Sequence, residues 1–223
     1  MVYKLWREVK EMGKEVIEVF DKHAEDYDRW YEKHISLFES EVEVARSFRC
    51  STSIEIGAGT GRFAKKLKVN AGIEPSLRMI EEFKDGIDMI GGYGEYLPVR
   101  SNSVECAYLI VTLCFVDDPL PVLKEVARVS ERVIACIVPR DSRWGSYYIE
   151  LGQMGHTFYS NAKFYSVGEI LNLARKVGLK YCRSIASLSY SPKSREMFEL
   201  PKEISPEDAS SYGFVCLELS HRC

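Results

Sequence analysis

Residues 53–62 read Ser53-Ile-Glu-Ile-Gly-Ala-Gly-Thr-Gly-Arg62, a short apolar run carrying Glu55, followed by glycines at 57, 59 and 61. Glycine lets the main chain turn tightly and lets a ligand lie against it, because no Cβ blocks the approach. A helix opening at Gly61 would aim its free N–H groups at the same spot. A dinucleotide fingerprint, GxGxxG, needs its third glycine at position 62, where Arg62 stands. Glu55 argues the same way, since a carboxylate beside the turn repels a pyrophosphate and attracts an ammonium group. The turn therefore suits a ligand with a free amino-acid end and no phosphate; the alternative is a tight turn that holds nothing.

Outward from this turn, apolar strands alternate with amphipathic helices. Strands are expected at Ser53–Ile56, Val69–Ile73, Ile87–Ile90, Val104–Thr112 and Arg132–Val138, and helices at Gly61–Leu67, Ser76–Phe83 and Pro119–Val129. Asp117 and Asp118 are capping candidates for the last of these, with Pro119 in its first turn. Such alternation with short connections implies βαβ units and a parallel sheet. The wholly apolar Ala107–Val111 fits a sheet covered on both faces. Residues 139–166 show no clear period and read as a long insert. A helix over Val167–Val177, closed by Gly178, precedes strands at Tyr181–Leu188 and Phe214–Leu219, with Pro192–Asp208 as a polar loop between them. Upstream, Leu5, Val9, Met12, Val16 and Val19 fall at helical spacing, and a second helical stretch runs to about Arg46.

Glu74 follows Glu55 by nineteen residues and ends the second strand. In a nucleotide-binding α/β sheet an acidic residue there accepts hydrogen bonds from both ribose hydroxyls, at about 1.5–3 kcal/mol each for a charged acceptor; the plainer alternative is a surface carboxylate near a helix start. Gly92-Tyr-Gly-Glu-Tyr-Leu-Pro-Val99 follows the third strand, and Ser103-Val-Glu-Cys-Ala-Tyr-Leu-Ile-Val-Thr-Leu-Cys-Phe-Val-Asp-Asp-Pro119 holds the fourth. In order and spacing these pieces resemble the class I S-adenosylmethionine (SAM)-dependent methyltransferases of type 11, the group that includes ubiquinone- and menaquinone-biosynthesis-type enzymes. The preamble Phe20-Asp-Lys-His-Ala-Glu-Asp-Tyr27-Asp-Arg-Trp30-Tyr31 is similar to that group too. The resemblance covers about residues 20–138, and Phe158-Tyr-Ser-Asn-Ala-Lys-Phe-Tyr-Ser166 looks like a segment of a small thermophile-type subgroup.

The resemblance implies an α/β, Rossmann-like doubly wound sheet of seven strands, mostly parallel with an antiparallel last strand and helices on both faces. It implies a helical cap or lid over residues 1–46 and a SAM-binding domain over 47–223, interrupted by the insert at 139–166. The cofactor would be SAM, leaving as S-adenosylhomocysteine (SAH). Gly57, Gly59 and Gly61 would pass under its methionine portion and Glu55 would help hold the ammonium group. Glu74 would take the ribose, Pro75 and Met79 would pack on the adenine, Gly94 and Glu95 would meet the adenine edge, and Val111 and Thr112 would line the methionine end. Tyr93 departs from the pattern, standing where the family often has Asp or Asn; a ring stack or a hydroxyl bond takes the place of that contact.

Methyl transfer is an in-line displacement that positioning and a dry pocket accelerate. It needs no metal ion and no covalent nucleophile, and it needs a base only if the acceptor arrives protonated. The catalytic role is left unassigned, with Tyr27, Tyr31, His156 and Tyr159 as candidates. Tyr147, Tyr148, Asn161, Lys163 and Tyr165 would complete a polar, aromatic mouth; the plainer alternative is that these tyrosines cover a sheet edge. Nothing in the sequence lowers the pKa of Cys114, so a reactive thiol is not expected there.

Composition narrows the partners. The 223 residues are 46% hydrophobic and 28% charged, with 30 Lys+Arg against 33 Asp+Glu, which is globular and faintly acidic. No broad basic face for nucleic acid is expected, and no membrane span, since no run of 18 apolar residues exists. The N-terminus lacks the apolar core of a signal peptide, so a cytoplasmic protein is expected. The seven cysteines are odd in number, widely spread and without a CxxC pair, and read as small buried hydrophobes in a reducing compartment. No Asn/Asp-Pro-Pro-Tyr/Phe or Pro-Cys motif of nucleic-acid methylation is present. The reading is methyl transfer to a small-molecule acceptor; the alternatives are transfer to RNA or protein, and a SAM-binding module without turnover.

Overall fold

A computed structural model describes residues 13–82 and 86–223. The expected first helix therefore lies outside the described residues through position 12, as does Phe83. Three helices lead the described residues, α1 (Lys14–Lys22), α2 (Ala24–Lys33) and α3 (Ile35–Arg46). Strands β1 (Ser53–Ile56), β2 (Ala71–Glu74), β3 (Asp88–Gly91), β4 (Val104–Ile110) and β5 (Ser130–Ile137) follow, with α4 (Arg62–Leu67) after β1, α5 (Leu77–Glu82) after β2 and α6 (Pro119–Val129) after β4. The chain closes with α7 (Arg143–Gln153), α8 (Val167–Lys176), β6 (Lys180–Ser187), β7 (Lys202–Ile204) and β8 (Phe214–Ser220).

The sheet runs β3-β2-β1-β4-β5-β8-β6-β7, parallel from β3 to β5, with β8 antiparallel to both neighbours. Strand order reverses at β1, whose neighbours β2 and β4 leave from opposite sides, so ligands meet the sheet at the carboxyl end there. Alternate residues of β4 show why its sequence is apolar throughout. Ala107 and Leu109 pack with Val122 and Val126 of α6 and Ile170 of α8; Cys106, Tyr108 and Ile110 pack on the other face with Leu37 of α3, Phe63 of α4 and Trp144 of α7. The helix starts are built from local chemistry. Asp118 accepts the Leu120 N–H at 2.9 Å to cap α6, and Ser166 with Glu169 forms a reciprocal capping box on α8. No helix among the described residues is long and apolar enough to cross a membrane.

Three expectations are corrected. Eight strands are present among the described residues where seven are expected, because residues 202–204 of the polar stretch pair antiparallel with β6 at the sheet edge. Charged residues suit an edge strand, which must not invite further pairing, and their polarity hides it from pattern reading. The 139–166 segment is not a featureless loop: it contains α7, capped by the Ser142 hydroxyl, and a 3₁₀ turn at Tyr159–Asn161. Gly145 and Gly152 obscure that helix in the sequence, and each is required by close packing. A Cβ at 145 would lie 2.1 Å from the Pro139 carbonyl oxygen, and one at 152 would lie 2.5 Å from that of Tyr159.

The third correction concerns the cysteines, which are not all reduced hydrophobes. Cys50 is bonded to Cys106, Cys136 to Cys216 and Cys182 to Cys223, leaving Cys114 free. Strand register makes such pairs and linear spacing does not reveal them: Cys136 and Cys216 face each other directly across the antiparallel β5/β8 ladder. Thiol titration of the denatured, unreduced protein is expected to count one free thiol; a count of seven would return the cysteines to the reduced reading.

Candidate functional site

The carboxyl ends of β1, β2 and β4 open into a cavity roofed by α1 and α2 and closed by the segment around residues 158–164. Gly57 and Gly59 form one wall. Gly57 turns with φ +68°, its N–H donates to the Ile73 carbonyl at 2.8 Å, and a Cβ there would sit 2.5 Å from Cγ2 of Thr112. Thr112 is itself held by donating its hydroxyl to the Ile56 carbonyl at 2.9 Å. Gly61 lies behind the wall, in the left-handed region at φ +73°, as the N-cap of α4. Val111 also lines the cavity with φ +53°. A β-branched residue in that region is strained, and it is held there by its N–H bond to the Cys136 carbonyl at 2.9 Å.

Glu74 lines the same cavity and is 6% exposed. Its Oε2 accepts the Gly59 N–H at 2.8 Å and its Oε1 the Ser76 N–H at 2.9 Å, so the carboxylate fixes the glycine turn to the end of β2. Burial pushes its pKa up to about 7 against the pull of those two bonds. Each oxygen keeps a second lone pair for a ligand. Pro75, Met79, Tyr93, Gly94 and Glu95 continue this half of the wall. Glu55 does not reach it. Buried on the α4 side of β1, it meets the Ala64 N–H, and its Oε2 has no hydrogen-bond partner among the described residues. Burial, with the nearby Glu74 charge, holds its carboxyl well above the ordinary range.

The other half of the cavity is aromatic. The Tyr27 and Tyr31 hydroxyls lie 3.1 Å apart, Phe20 stacks on Phe158 at 5.3 Å, and Tyr148 stacks on Tyr159 at 4.3 Å. Of the catalytic candidates, Tyr27, Tyr31 and Tyr159 share this wall, whereas His156 sits outside it, stacked against Tyr159 at 4.4 Å. Burial lowers the His156 pKa. Tyr147, Asn161, Lys163 and Tyr165 are also absent from the wall, and Lys163 caps the Tyr165 ring at 5.3 Å. The buried Cys114 thiol donates to the Val111 carbonyl at 3.1 Å, and burial pushes its pKa up to about 12, which rules out a thiolate near neutrality.

Two features escape sequence reasoning. Asp28 of α2 accepts from Nε and Nη2 of Arg62 at 2.5 and 2.7 Å and from the Thr60 hydroxyl at 2.5 Å, while Asp21 of α1 accepts from the Ser76 hydroxyl at 2.5 Å. The roof helices are thus tied directly to the glycine turn and the β2 end, and Arg62, the residue that breaks the dinucleotide fingerprint, supplies a two-pronged clamp. The second is Glu41 of α3, a carboxyl on the aromatic part of the wall that is 6% exposed. Its one sequence signal is position, since it interrupts the buried stripe of Leu37, Phe38, Ala45 and Phe48.

Comparison with known proteins adds independent support. A family model described as a methyltransferase domain matches residues 54–132. An uncharacterised protein of Methanocaldococcus jannaschii is 31% identical over 204 residues, covering 89% of this chain and 97% of its own. The crystal structure of a Thermotoga maritima SAM-dependent methyltransferase, described as a possible histamine N-methyltransferase, is 32% identical, covers 93% of this chain and all of its own, and superposes with a TM-score of 0.86. Magnesium protoporphyrin IX methyltransferase of Synechocystis, solved with SAH, has the same fold at a TM-score of 0.65 with 14% identity, covering 93% of this chain and 98% of its own.

Proposed function

Because this chain belongs to the class I SAM-dependent methyltransferases of type 11, whose cofactor is SAM, we propose that it transfers the SAM methyl group to a small organic acceptor. The observation that carries the reading is one cavity with two unlike halves: bare main chain and Glu74 at one end, aromatic rings at the other. When bound, SAM supplies a methyl group made electrophilic by a positive sulfur. The residues fit it. Main chain at Gly57 and Gly59 lies open where a Cβ would close the space, and Glu74 has acceptor capacity left for a ribose diol. Pro75 and Met79 then pack on the adenine, with Tyr93, Gly94 and Glu95 at its edge. Val111 and Thr112 border the methionine end. Glu55, with Gly61, acts from behind the turn, where Glu55 meets the Ala64 N–H in the first turn of α4 and so supports the glycine wall.

The rest of the chain positions and dries. Residues 1–46 serve as a lid over the domain at 47–223, and the described part of that lid is fastened by Asp21 and Asp28. Tyr27, Tyr31 and Tyr159 wall the acceptor space and exclude water, which favours a nucleophile that must shed its hydration. Burial raises all three phenol pKa values, so they act as neutral hydrogen-bonding groups rather than as phenolates. A small acceptor is further supported by the enclosed shape and by the Thermotoga relative, described as a possible histamine N-methyltransferase. Calorimetric titration is expected to give a SAM Kd between about 1 μM and 1 mM, the range of working enzyme sites. SAH should form when a fractionated pool of small metabolites is added. Absence of binding at that upper concentration would remove the proposal.

A further inference from the structure

Glu41 is a cost to the fold that the described structure does not offset. It lies on the buried stripe of α3 at 6% exposure, and no hydrogen bond or ion pair reaches it among the described residues. Buried carboxyls are ordinarily paired. Among the described residues Glu41 faces the cavity, whose wall it forms together with Tyr27, Trp30, Tyr31, Tyr148 and Tyr159. Its charge is felt by four of those phenols, Tyr27, Tyr31, Tyr148 and Tyr159, which places the carboxyl among rings of α2, α7 and the 3₁₀ turn. The described wall contains no Lys, Arg or His; its ionisable charges are the carboxyls Glu41, Glu74 and Glu95.

From this arrangement we infer that Glu41 and the surrounding rings form a binding site for an organic ammonium group, so that the methyl acceptor is an amine that enters as its cation and passes one proton to the Glu41 carboxylate, which frees the nitrogen lone pair to take the methyl group as SAH leaves. A carboxylate supplies the counter-charge and accepts the N–H bonds, and the electron-rich ring faces attract the cation once water is excluded. A carboxylate or phosphate acceptor would find no cation on the described wall to pair with, only the carboxyls Glu41, Glu74 and Glu95. The inference rests on the methyl-transfer reading and adds the acceptor class to it.

The test loads the protein with SAH and titrates it by calorimetry with 2-phenylethylamine, 2-phenylethanol and 3-phenylpropanoate, which share a ring and differ in charge. The amine is expected to bind at least about 30-fold more tightly than the alcohol, a factor in the range of one charged hydrogen bond, and the carboxylate is expected to give no measurable heat. Glu41→Gln should lose about the same factor for the amine and leave SAH affinity unchanged. The same variant, and Glu41→Leu, should melt at a higher temperature than the parent, which a merely structural role for Glu41 would not produce. Equal binding of amine and carboxylate, no amine binding to the SAH-loaded protein, or amine affinity untouched in Glu41→Gln would each overturn the site. Failure to bind SAH at all would instead strike the methyl-transfer reading beneath it.

Discussion

Glu74→Gln is expected to bind SAM about 100-fold more weakly than the parent protein, a loss of about 3 kcal/mol, which is two charged hydrogen bonds at the low end of their range. The geometry makes the substitution informative. In the parent, both carboxylate oxygens accept main-chain N–H groups, from Gly59 at 2.8 Å and Ser76 at 2.9 Å, and the side chain is buried. An amide of the same size turns an NH₂ toward one of those N–H donors, so it loses a ribose acceptor and loosens the glycine turn together. The parent should also show a pH signature. Burial pushes the Glu74 pKa up to about 7, and the ribose hydroxyls are taken by the ionised form, so SAM affinity should rise as pH climbs through that value. The Gln variant should lack that dependence. Calorimetry at several pH values reads both effects; a variant that binds within about threefold of the parent, less than 1 kcal/mol, would sink the assignment of Glu74 to the ribose.

The parallel half of the sheet is legible in the sequence because its strands are covered on both faces. Val104–Thr112 stands out as an apolar run and is found as Val104–Ile110; helix Pro119–Val129 is found residue for residue, since Asp118 and Pro119 mark its start chemically. Legibility fails where one residue answers two demands. Gly145 and Gly152 look like breakers and are contact points inside α7. The edge strand Lys202–Ile204 reads as loop because an edge is kept polar.

The site divides in the same way. The residues that shape the glycine turn are legible because bare main chain requires a particular residue type at a particular spacing, and Gly57, Gly59 and Glu74 come together on one wall as that spacing implies. Glu55 carries the same motif yet lies behind the wall, because neighbouring side chains of a strand point to opposite faces and Ile56 takes the other one. Arg62, Asp28 and Asp21 are invisible in advance, since an ion pair (Arg62–Asp28) or a hydrogen bond (Ser76 to Asp21) between segments more than thirty residues apart has no linear pattern. Glu41 leaves a faint trace as a carboxylate on a stripe that is otherwise apolar, a conflict between local pattern and fold of the kind that functional sites retain.

The same conflict predicts that the cofactor-free protein loses stability as pH rises from about 5 to about 8.5. The folded-state pKa is about 8 for Glu41, raised by burial alone, and about 7 for Glu74, against 4.5 for an ordinary glutamate. Between 4.5 and those values the native state holds protons that the unfolded chain has released, so stability falls with rising pH, at about 1.4 kcal/mol per unit for each group inside its window, and levels off above the folded pKa. The upper bounds are about 5 kcal/mol for Glu41 and about 3 kcal/mol for Glu74, large against the 5–15 kcal/mol that holds a domain together. Carboxylates with lowered pKa work in the opposite sense. Glu105, bonded by Ser51, and Glu125, bonded by Arg128, lend stability that is lost only as pH falls below the ordinary carboxylate range. Maximum stability therefore belongs near pH 5 rather than at neutrality. The phenols facing Glu41, Tyr27, Tyr31, Tyr148 and Tyr159, have pKa values raised by burial and do not ionise in this window. Urea unfolding at three pH values should show the decline in the parent and a shallower one in Glu41→Gln, whose gain over the parent should be greatest at the alkaline end. Equal parent stability across the range, or an identical slope in the variant, would mean that Glu41 is paired or hydrated in solution and that the cavity wall does not hold a bare carboxyl.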